Sequence, residues 1–283
     1  MKGKNPIQQL PIVAYLGPEA TFSHQAASSF YGNSASFRGT DSIEDVFDLV
    51  EKGACHQGIV PIENSYEGSV NITLDMFFKY DLRICAEIFM RIRHNLLGSL
   101  EDIGEIEHLY SHPMPIAQCR SWLRSNLYGV AVTQTASTSL AAKMAAEKPG
   151  TAAIGSRLAG RLYGLKILEE NIEDSPDNIT RFLVISKTRS KPTGRDKSSM
   201  LFSLSHRPGT LYKALSVLAE RNVNLTKIES RPMKTRNWEY MFFVDIEGHE
   251  DEGNIGNALK EMEKYCAFMK ILGSYPVGGE PWD

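Results

Sequence analysis

Short apolar runs alternate with polar turns and amphipathic stretches through the first part of the chain. Ile12–Leu16 and the runs at 58–62, 106–110 and 130–134 are each followed by a polar turn and then by apolar positions at helical spacing. Repeated strand-turn-helix units predict an α/β core. Ordinary helix signals explain many polar residues between them: over 42–52, Asp41 and Glu44 have capping-box spacing and Gly53 suits a stop. Residues 187–197 lack large apolar side chains and contain Pro192 and Gly194, which predicts a linker between a first region, 1–190, and a second, 197–283. The second region predicts a strand at 199–205, a helix at 209–221, strands at 224–230 and 238–246, a helix at 253–265 and a strand at 269–275. That βαββαβ order makes an α+β ferredoxin-like module.

Two strand mouths carry polar groups that packing does not require. Ser175-Pro176-Asp177-Asn178 has turn chemistry and Phe182-Leu183-Val184-Ile185 is a buried-strand pattern, so Thr180 and Arg181 sit between turn and strand. A hydroxyl and a cation there suit an anionic substrate. The run at 58–62 likewise leads into Glu63-Asn64-Ser65-Tyr66-Glu67-Gly68. Asn64 and Ser65 offer donors to carboxylate or keto oxygens, and Ser65 equally suits a helix N-cap. Thr21, Ser23, Ser111, Ser137 and Thr138 follow strands and precede helices, where capping and anion binding both occur. Of these, Thr21, Ser137 and Thr138 are expected at the site and Ser111 as a cap.

Composition narrows the chemistry. With 31 basic and 34 acidic residues intermixed and a net charge of −3, the 283-residue chain has no electrostatic footprint for nucleic acid or an anionic membrane. Cys55, Cys85, Cys119 and Cys266 are widely spaced, which suggests reduced thiols rather than a disulfide framework or thiolate metal site. The first residues lack an apolar signal core, and no run approaches the roughly 18 apolar residues of a spanning helix. His108 and His112 have the spacing of a helical metal pair, but Leu109-Tyr110 resembles a strand end and Pro113 a helix start, so no metal is expected. Gly17-Pro18-Glu19-Ala20-Thr21 lacks the ending of a phosphate loop, although Gly17 permits unusual backbone angles beside a helix start.

Several blocks occur together and in order: Gly17-Pro18 with Thr21-Phe22-Ser23, Pro61-Ile62-Glu63-Asn64-Ser65 with Glu67-Gly68, Ser111-His112-Pro113 with Gln118-Cys119, Thr135 with Ser137-Thr138 and Ala141-Ala142, Ala153-Ile154-Gly155-Ser156 with Tyr163-Gly164-Leu165, and Asn178 with Thr180-Arg181-Phe182. They resemble the signatures of the prephenate dehydratase family over nearly the whole chain. Ala20 stands where the family usually has glycine, and Met114 where it usually has glutamine. Arg207-Pro208-Gly209-Thr210-Leu211 and Lys227-Ile228-Glu229-Ser230-Arg231-Pro232 resemble the ACT domains that sense amino acids, with Thr210 where alanine is more usual.

The resemblance implies a two-lobed, periplasmic-binding-protein-like α/β catalytic domain over 1–190, with crossings at 82–97 and 167–182, followed by an ACT regulatory domain over 197–283. It implies decarboxylating dehydration of prephenate to phenylpyruvate without a cofactor. Thr180, Arg181, Asn64 and Ser65 are the expected catalytic residues, Thr180 donating to the departing hydroxyl or orienting it while water supplies the proton, and Arg181 clamping a carboxylate. Thr21, Ser137, Thr138, Asn178, Phe182 and Glu67 are the expected substrate contacts. L-phenylalanine is implied as effector, held by Pro208, Gly209, Thr210 and Leu211 and by Ile228, Glu229, Ser230, Arg231 and Pro232 of a neighbouring copy, in a cytoplasmic homodimer or homotetramer. With the first strand starting at Ile12, no chorismate mutase domain is expected ahead of it. Arogenate dehydratase and a silent amino-acid sensor are the alternatives.

Overall fold

The computed structural model describes residues 10–232 and 240–282, folded around three sheets. The first lobe is built from β1 (Ile12–Leu16), α1 (Phe22–Tyr31), β2 (Ser36–Thr40), α2 (Ile43–Glu51), β3 (Gln57–Asn64), β4 (Gly68–Ser69), α3 (Asn71–Lys79) and β5 (Arg83–Arg91). The chain then crosses to a second lobe of β6 (Asn95–Gly98), β7 (His108–Ser111), α4 (Pro113–Gln118), α5 (Arg120–Asn126), β8 (Ala131–Gln134), α6 (Thr138–Ala146), β9 (Thr151–Gly155), α7 (Arg157–Tyr163) and β10 (Lys166–Glu169), in sheet order β10-β6-β9-β7-β8. It returns as β11 (Ile179–Ser186), antiparallel to both β3 and β5 in the order β2-β1-β3-β11-β5. The two crossings fall inside the stretches expected to carry them.

Local sequence explains the elements and corrects two details. Helix α2 begins one residue later than the Asp41 spacing implied: Ser42 is the cap, accepting from Asp45 N at 3.1 Å, while its hydroxyl meets Asp45 Oδ2 at 2.6 Å. Gly17 is needed for closeness rather than for an unusual angle, because a Cβ there would lie 3.0 Å from Thr40 O. After it, Ala20 holds φ 62°, the left-handed region that costs a non-glycine residue roughly 1–2 kcal/mol. Its methyl is buried with Leu97, Ala141 and Ala153 of the second lobe, and Ser156 Oγ donates to its carbonyl at 3.1 Å. The turn after β1 is thereby docked into the opposite lobe.

The third unit contains β12 (Asp196–Ser203), α8 (Thr210–Glu220), β13 (Leu225–Pro232), β14 (Tyr240–Glu247), α9 (Gly253–Glu263) and β15 (Phe268–Pro276), in sheet order β13-β14-β12-β15. The strand expected over 238–246 begins partly outside the described residues. Alternation along β12 and β14 sorts the side chains. Met200, Phe202, Val244 and Ile246 pack under α8 and α9, whereas Leu201 and Phe243 join Leu183, Ile185 and Ile84 in the core of the first lobe. Burying each such side chain stabilises by about 1.5–3 kcal/mol. The segment expected as a linker is therefore tied down: Ser190 Oγ donates to Cys85 O at 2.8 Å, and Asp196 accepts from Thr193 and Gly194. Glycine at 273 lets β15 approach β5, since a Cβ there would stand 2.2 Å from Ile84 O.

Candidate active site between the lobes

A cleft of about 330 Å³ lies between the lobes, and several of the expected residues converge on it: Thr21, Asn64, Glu67, Ser137, Thr138, Asn178, Thr180 and Phe182. Two helix N-termini also meet there. Thr21 caps α1 by accepting from His24 N at 3.3 Å, and Ser137 caps α6 by accepting from Leu140 N at 3.0 Å. No described residue lining the cleft is Lys or Arg. An anion held here would rest on the positive ends of α1 and α6 and on neutral donors, as the dipole of a helix start allows.

The polar side chains at the mouths of β3 and β11 form a chain whose polarity is fixed at one end by backbone. Tyr66 N and Glu67 N donate to Asn64 Oδ1 at 2.9 and 3.2 Å, so the Asn64 amide nitrogen must face the other way. Its two hydrogens go to Asn178 Oδ1 at 2.7 Å and Thr180 Oγ1 at 2.9 Å. Asn178 in turn donates to Gln118 Oε1 at 3.1 Å. Since Thr180 Oγ1 is engaged as an acceptor, its own hydrogen is left for another partner. Thr180 is 8% exposed and lines the cleft, which makes it a directed hydroxyl donor at that surface.

Two expected site residues lie elsewhere. Successive side chains of a strand point to opposite faces, and with Thr180 and Phe182 in the cleft, Arg181 is driven to the far side of β11. There its Nε donates to Glu87 Oε2 at 2.8 Å, Nη1 to Asp245 Oδ2 at 2.6 Å and Nη2 to the Tyr275 hydroxyl at 3.1 Å. Burial opposes its charge, but Tyr275, Asp245 and Glu87 more than offset this and hold its pKa above the ordinary value. It is thus a buried ion-pair residue between the first lobe and the third unit, not a carboxylate clamp in the cleft. Ser65 is exposed and absent from the cleft lining; its hydroxyl donates to Asp177 O at 3.1 Å and accepts from Ile179 N at 3.0 Å, clasping one strand mouth to the other. It caps no helix.

Nearby expectations sort the same way. Ser111 ends β7 rather than capping α4, and the cap is His112, whose Nδ1 accepts from Met114 N at 3.3 Å. His108 lies on β7 with Nε2 2.9 Å from Thr133 Oγ1, so the two histidines have separate partners. Gln118 and His94 line the cleft without having been assigned a role in advance. The block containing Ser111-His112-Pro113 pointed toward Gln118, but nothing local marks His94.

In the third unit Gly209 has φ 81° and caps α8, and Thr210 Oγ1 donates to Ser205 O at 3.1 Å and Arg207 O at 3.0 Å. Thr210 and Leu211 line a cavity of about 100 Å³ beside Tyr240, whereas Arg231 and Pro232 line a separate one of about 410 Å³ against α3. Within one subunit the two expected effector elements therefore line different cavities. Strand β13 is also an edge of its sheet, and Lys227 on it pairs with Glu63 Oε1 at 2.7 Å, next to Asn64.

The family described as prephenate dehydratase matches residues 13–190, and the ACT domain matches residues 198–264. A bifunctional chorismate mutase/prephenate dehydratase of Aquifex aeolicus is 51% identical over 264 residues, 93% of this chain and 73% of that protein. The prephenate dehydratase of Methanocaldococcus jannaschii is 39% identical over 274 residues, 94% of this chain and 98% of its own length. Among solved structures, a prephenate dehydratase from Arthrobacter aurescens in complex with L-Phe has a TM-score of 0.87 at 31% identity, covering 94% of this chain and 90% of that one. With both lobes matched end to end and the third unit matched separately, the chain belongs to the prephenate dehydratase family and carries an ACT domain.

Proposed function

We propose that the protein converts prephenate to phenylpyruvate, carbon dioxide and water in the synthesis of phenylalanine. The observation that carries this reading is the Thr180 hydroxyl, whose oxygen is occupied by Asn64 and whose hydrogen is available at the cleft. In the reaction the ring loses its carboxylate, the electron pair of the broken C–C bond enters the ring, and the ring C–O bond breaks with its pair on oxygen. That oxygen takes up one proton and leaves as water. Aromatisation supplies the driving force, so the protein's task is to orient a dianion and hold a donor at the departing oxygen. Thr180 fills the donor role, Asn64 aims it, and the starts of α1 and α6, with Thr21, Ser137 and Thr138, hold the carboxylates. Phe182 gives the ring an apolar wall, and Asn178 and Glu67 border the site.

Assay of the purified protein with prephenate, following phenylpyruvate, tests the proposal. Turnover of prephenate well above that of arogenate is expected; turnover of arogenate alone, or of neither, would overturn it. The reading also places the enzyme in the cytoplasm and makes it a homo-oligomer controlled by L-phenylalanine. An effector bound between copies, with Pro208, Gly209, Thr210 and Leu211 of one facing Ile228, Glu229, Ser230, Arg231 and Pro232 of another, accounts for two half-sites that line different cavities in a single subunit. Calorimetry should detect phenylalanine binding that Gly209→Trp abolishes, with inhibition of turnover in the unsubstituted protein. Deleting 197–283 is a poor test, because it would bare the Leu183 and Ile185 face of the first lobe.

A further inference from the structure

His94 lies in the crossing between β5 and β6 and is 1% exposed. Its Nε2 stands 2.7 Å from Gln118 Oε1, its ring meets Phe22 edge-on at 5.6 Å, and its backbone nitrogen donates to Glu173 Oε2 at 2.8 Å. Its Nδ1 is buried and has no partner among the described residues. A buried polar atom left without a partner costs about 1–3 kcal/mol, and this one belongs to a residue that lines the cleft.

The hydrogen-bond chain decides what that atom can do. Asn64 is oriented by two backbone donors, Asn178 is oriented by Asn64, and Gln118 Oε1 accepts from Asn178. An amide oxygen only accepts, so the His94 Nε2 facing it carries the hydrogen. A neutral imidazole has one such hydrogen. Nδ1 therefore presents a bare lone pair. Burial keeps the ring neutral by lowering its pKa, against smaller opposing pulls from Gln118 and Glu173.

We propose that His94 contacts the substrate directly: Nδ1, enclosed in this structure, is uncovered on the cleft wall as the substrate enters and accepts the hydrogen of the substrate's ring hydroxyl, while Thr180 donates to the oxygen of the same group. This deepens the dehydratase reading and rests on it. The two ends of one hydrogen-bond chain then grip one hydroxyl with opposite polarity, which fixes the rotation of the departing group. His94 transfers no proton in this role. Because the contact exists in the bound substrate as well as at the transition state, its loss acts chiefly on KM.

Two substitutions separate this role from a structural one. His94→Gln can place an amide nitrogen where Nε2 was and keep the bond to Gln118, but it offers nothing at Nδ1. His94→Asn can place an oxygen near Nδ1 but does not reach Gln118. With prephenate as substrate, the glutamine variant should raise KM about 10–10²-fold, while the asparagine variant stays within about 3-fold, consistent with loss of one buried acceptor. In the unsubstituted enzyme kcat/KM should fall as pH drops through the lowered pKa of His94, below its ordinary value of 6.5, because protonation removes the acceptor. That acid limb should vanish in the glutamine variant even though Arg93, Glu173, Cys119, His112, His24 and Glu67 remain around the site. Ring ¹⁵N resonances of the unsubstituted protein supply a check that needs no variant to fold: Nδ1 should have the shift of an unprotonated nitrogen and move on substrate binding. A damaged asparagine variant beside a healthy glutamine variant, equal damage in both, a retained acid limb, or a protonated Nδ1 would each overturn the proposal and leave the dehydratase reading standing. Absence of prephenate turnover in the unsubstituted enzyme would instead remove that reading and this inference with it.

Discussion

Thr180 and Arg181 are neighbours on one strand, yet they serve different structures. Thr180 faces a cleft whose described lining holds no Lys or Arg, where one donor is left for a ligand. Arg181 faces a closed ionic cluster in which Glu87 also binds Lys197 Nζ at 2.9 and 3.0 Å and Gly278 N at 2.9 Å, and Asp245 also accepts from Ser199 Oγ at 2.5 Å. The cleft residues have hydrogen-bonding capacity to spare, while the cluster uses its capacity internally. That contrast separates a group able to act on a ligand from a group that joins two domains.

The largest expected effect breaks the cleft side of the pair. Thr180→Ala should lower kcat by about 10²–10⁴, the usual contribution of a positioned proton-transfer group, with the thermal midpoint nearly unchanged. Thr180→Ser, which keeps the hydroxyl, should recover most of it. Near-normal turnover in the alanine variant would show that the departing oxygen is served from elsewhere.

On the other face, Arg181→Met should leave Asp245 and Glu87 as buried carboxylates short of a cation, a situation that costs about 3–5 kcal/mol. The thermal midpoint should fall by roughly 6–20 °C, while the folded fraction retains kcat and KM within a few-fold. Adding Asp245→Asn should return part of the loss, since it removes one stranded charge. An unchanged midpoint with a large rise in KM would put Arg181 back at the substrate.

The same two residues show what the sequence could and could not reveal. The strand-helix alternation and the βαββαβ unit were legible because hydrophobic period and turn residues are local properties, whereas the two crossings followed from the family resemblance. The mouths of β3 and β11 were legible as polar groups at strand ends. Which of two adjacent polar residues faces the cleft depends on the strand's phase relative to three packed units, which is not local, and a buried arginine in an ionic cluster has the same local sequence as one in a site. Ser65 failed for a related reason: its hydroxyl is consumed by a backbone partner more than a hundred residues away. His94 carried no signal because what distinguishes it, a buried ring nitrogen with no partner among the described residues, is set by the packing around it and not by its neighbours in sequence. The linker looked free because its own residues are polar, whereas the sheet beyond it buries a second face on the first lobe.

A smaller effect should come from the residue that aims Thr180. Asn64→Ala removes the donor to Thr180 and Asn178 and leaves Asn178 Oδ1 unsatisfied at a residue 2% exposed. A fall in kcat of about 10–10²-fold is expected, in line with an orientation effect worth about 1–3 kcal/mol. Asn64→Asp sharpens the point because its shape is nearly the same and its polarity is reversed. The new carboxylate oxygen would accept the Thr180 hydrogen and withdraw it from the cleft, so this variant should be at least as slow as the alanine one. If it were faster, the direction assigned to the chain would be wrong.

The smallest expected effect belongs to Ser65, the residue that shares its sequence block with Asn64 and none of its surroundings. Ser65→Ala removes a hydroxyl that accepts from Ile179 N and donates to Asp177 O at an exposed turn. Both orphaned backbone groups can be hydrated there, so the cost should be about 0.5–1.5 kcal/mol per lost hydrogen bond at most, read as a modest drop in thermal midpoint. Activity should stay within about 3-fold, because the second clasp between the strand mouths, Ser65 N to Ile179 O at 2.9 Å, is backbone and survives the substitution. The outcome discriminates between two uses of a side chain at a site's edge. If kcat falls as far as it does in Asn64→Ala, the Ser65 hydroxyl must leave its backbone partners during the reaction and reach the substrate. If only stability changes, Ser65 belongs with Arg181, as a residue that holds the walls in place while Thr180 meets the ligand.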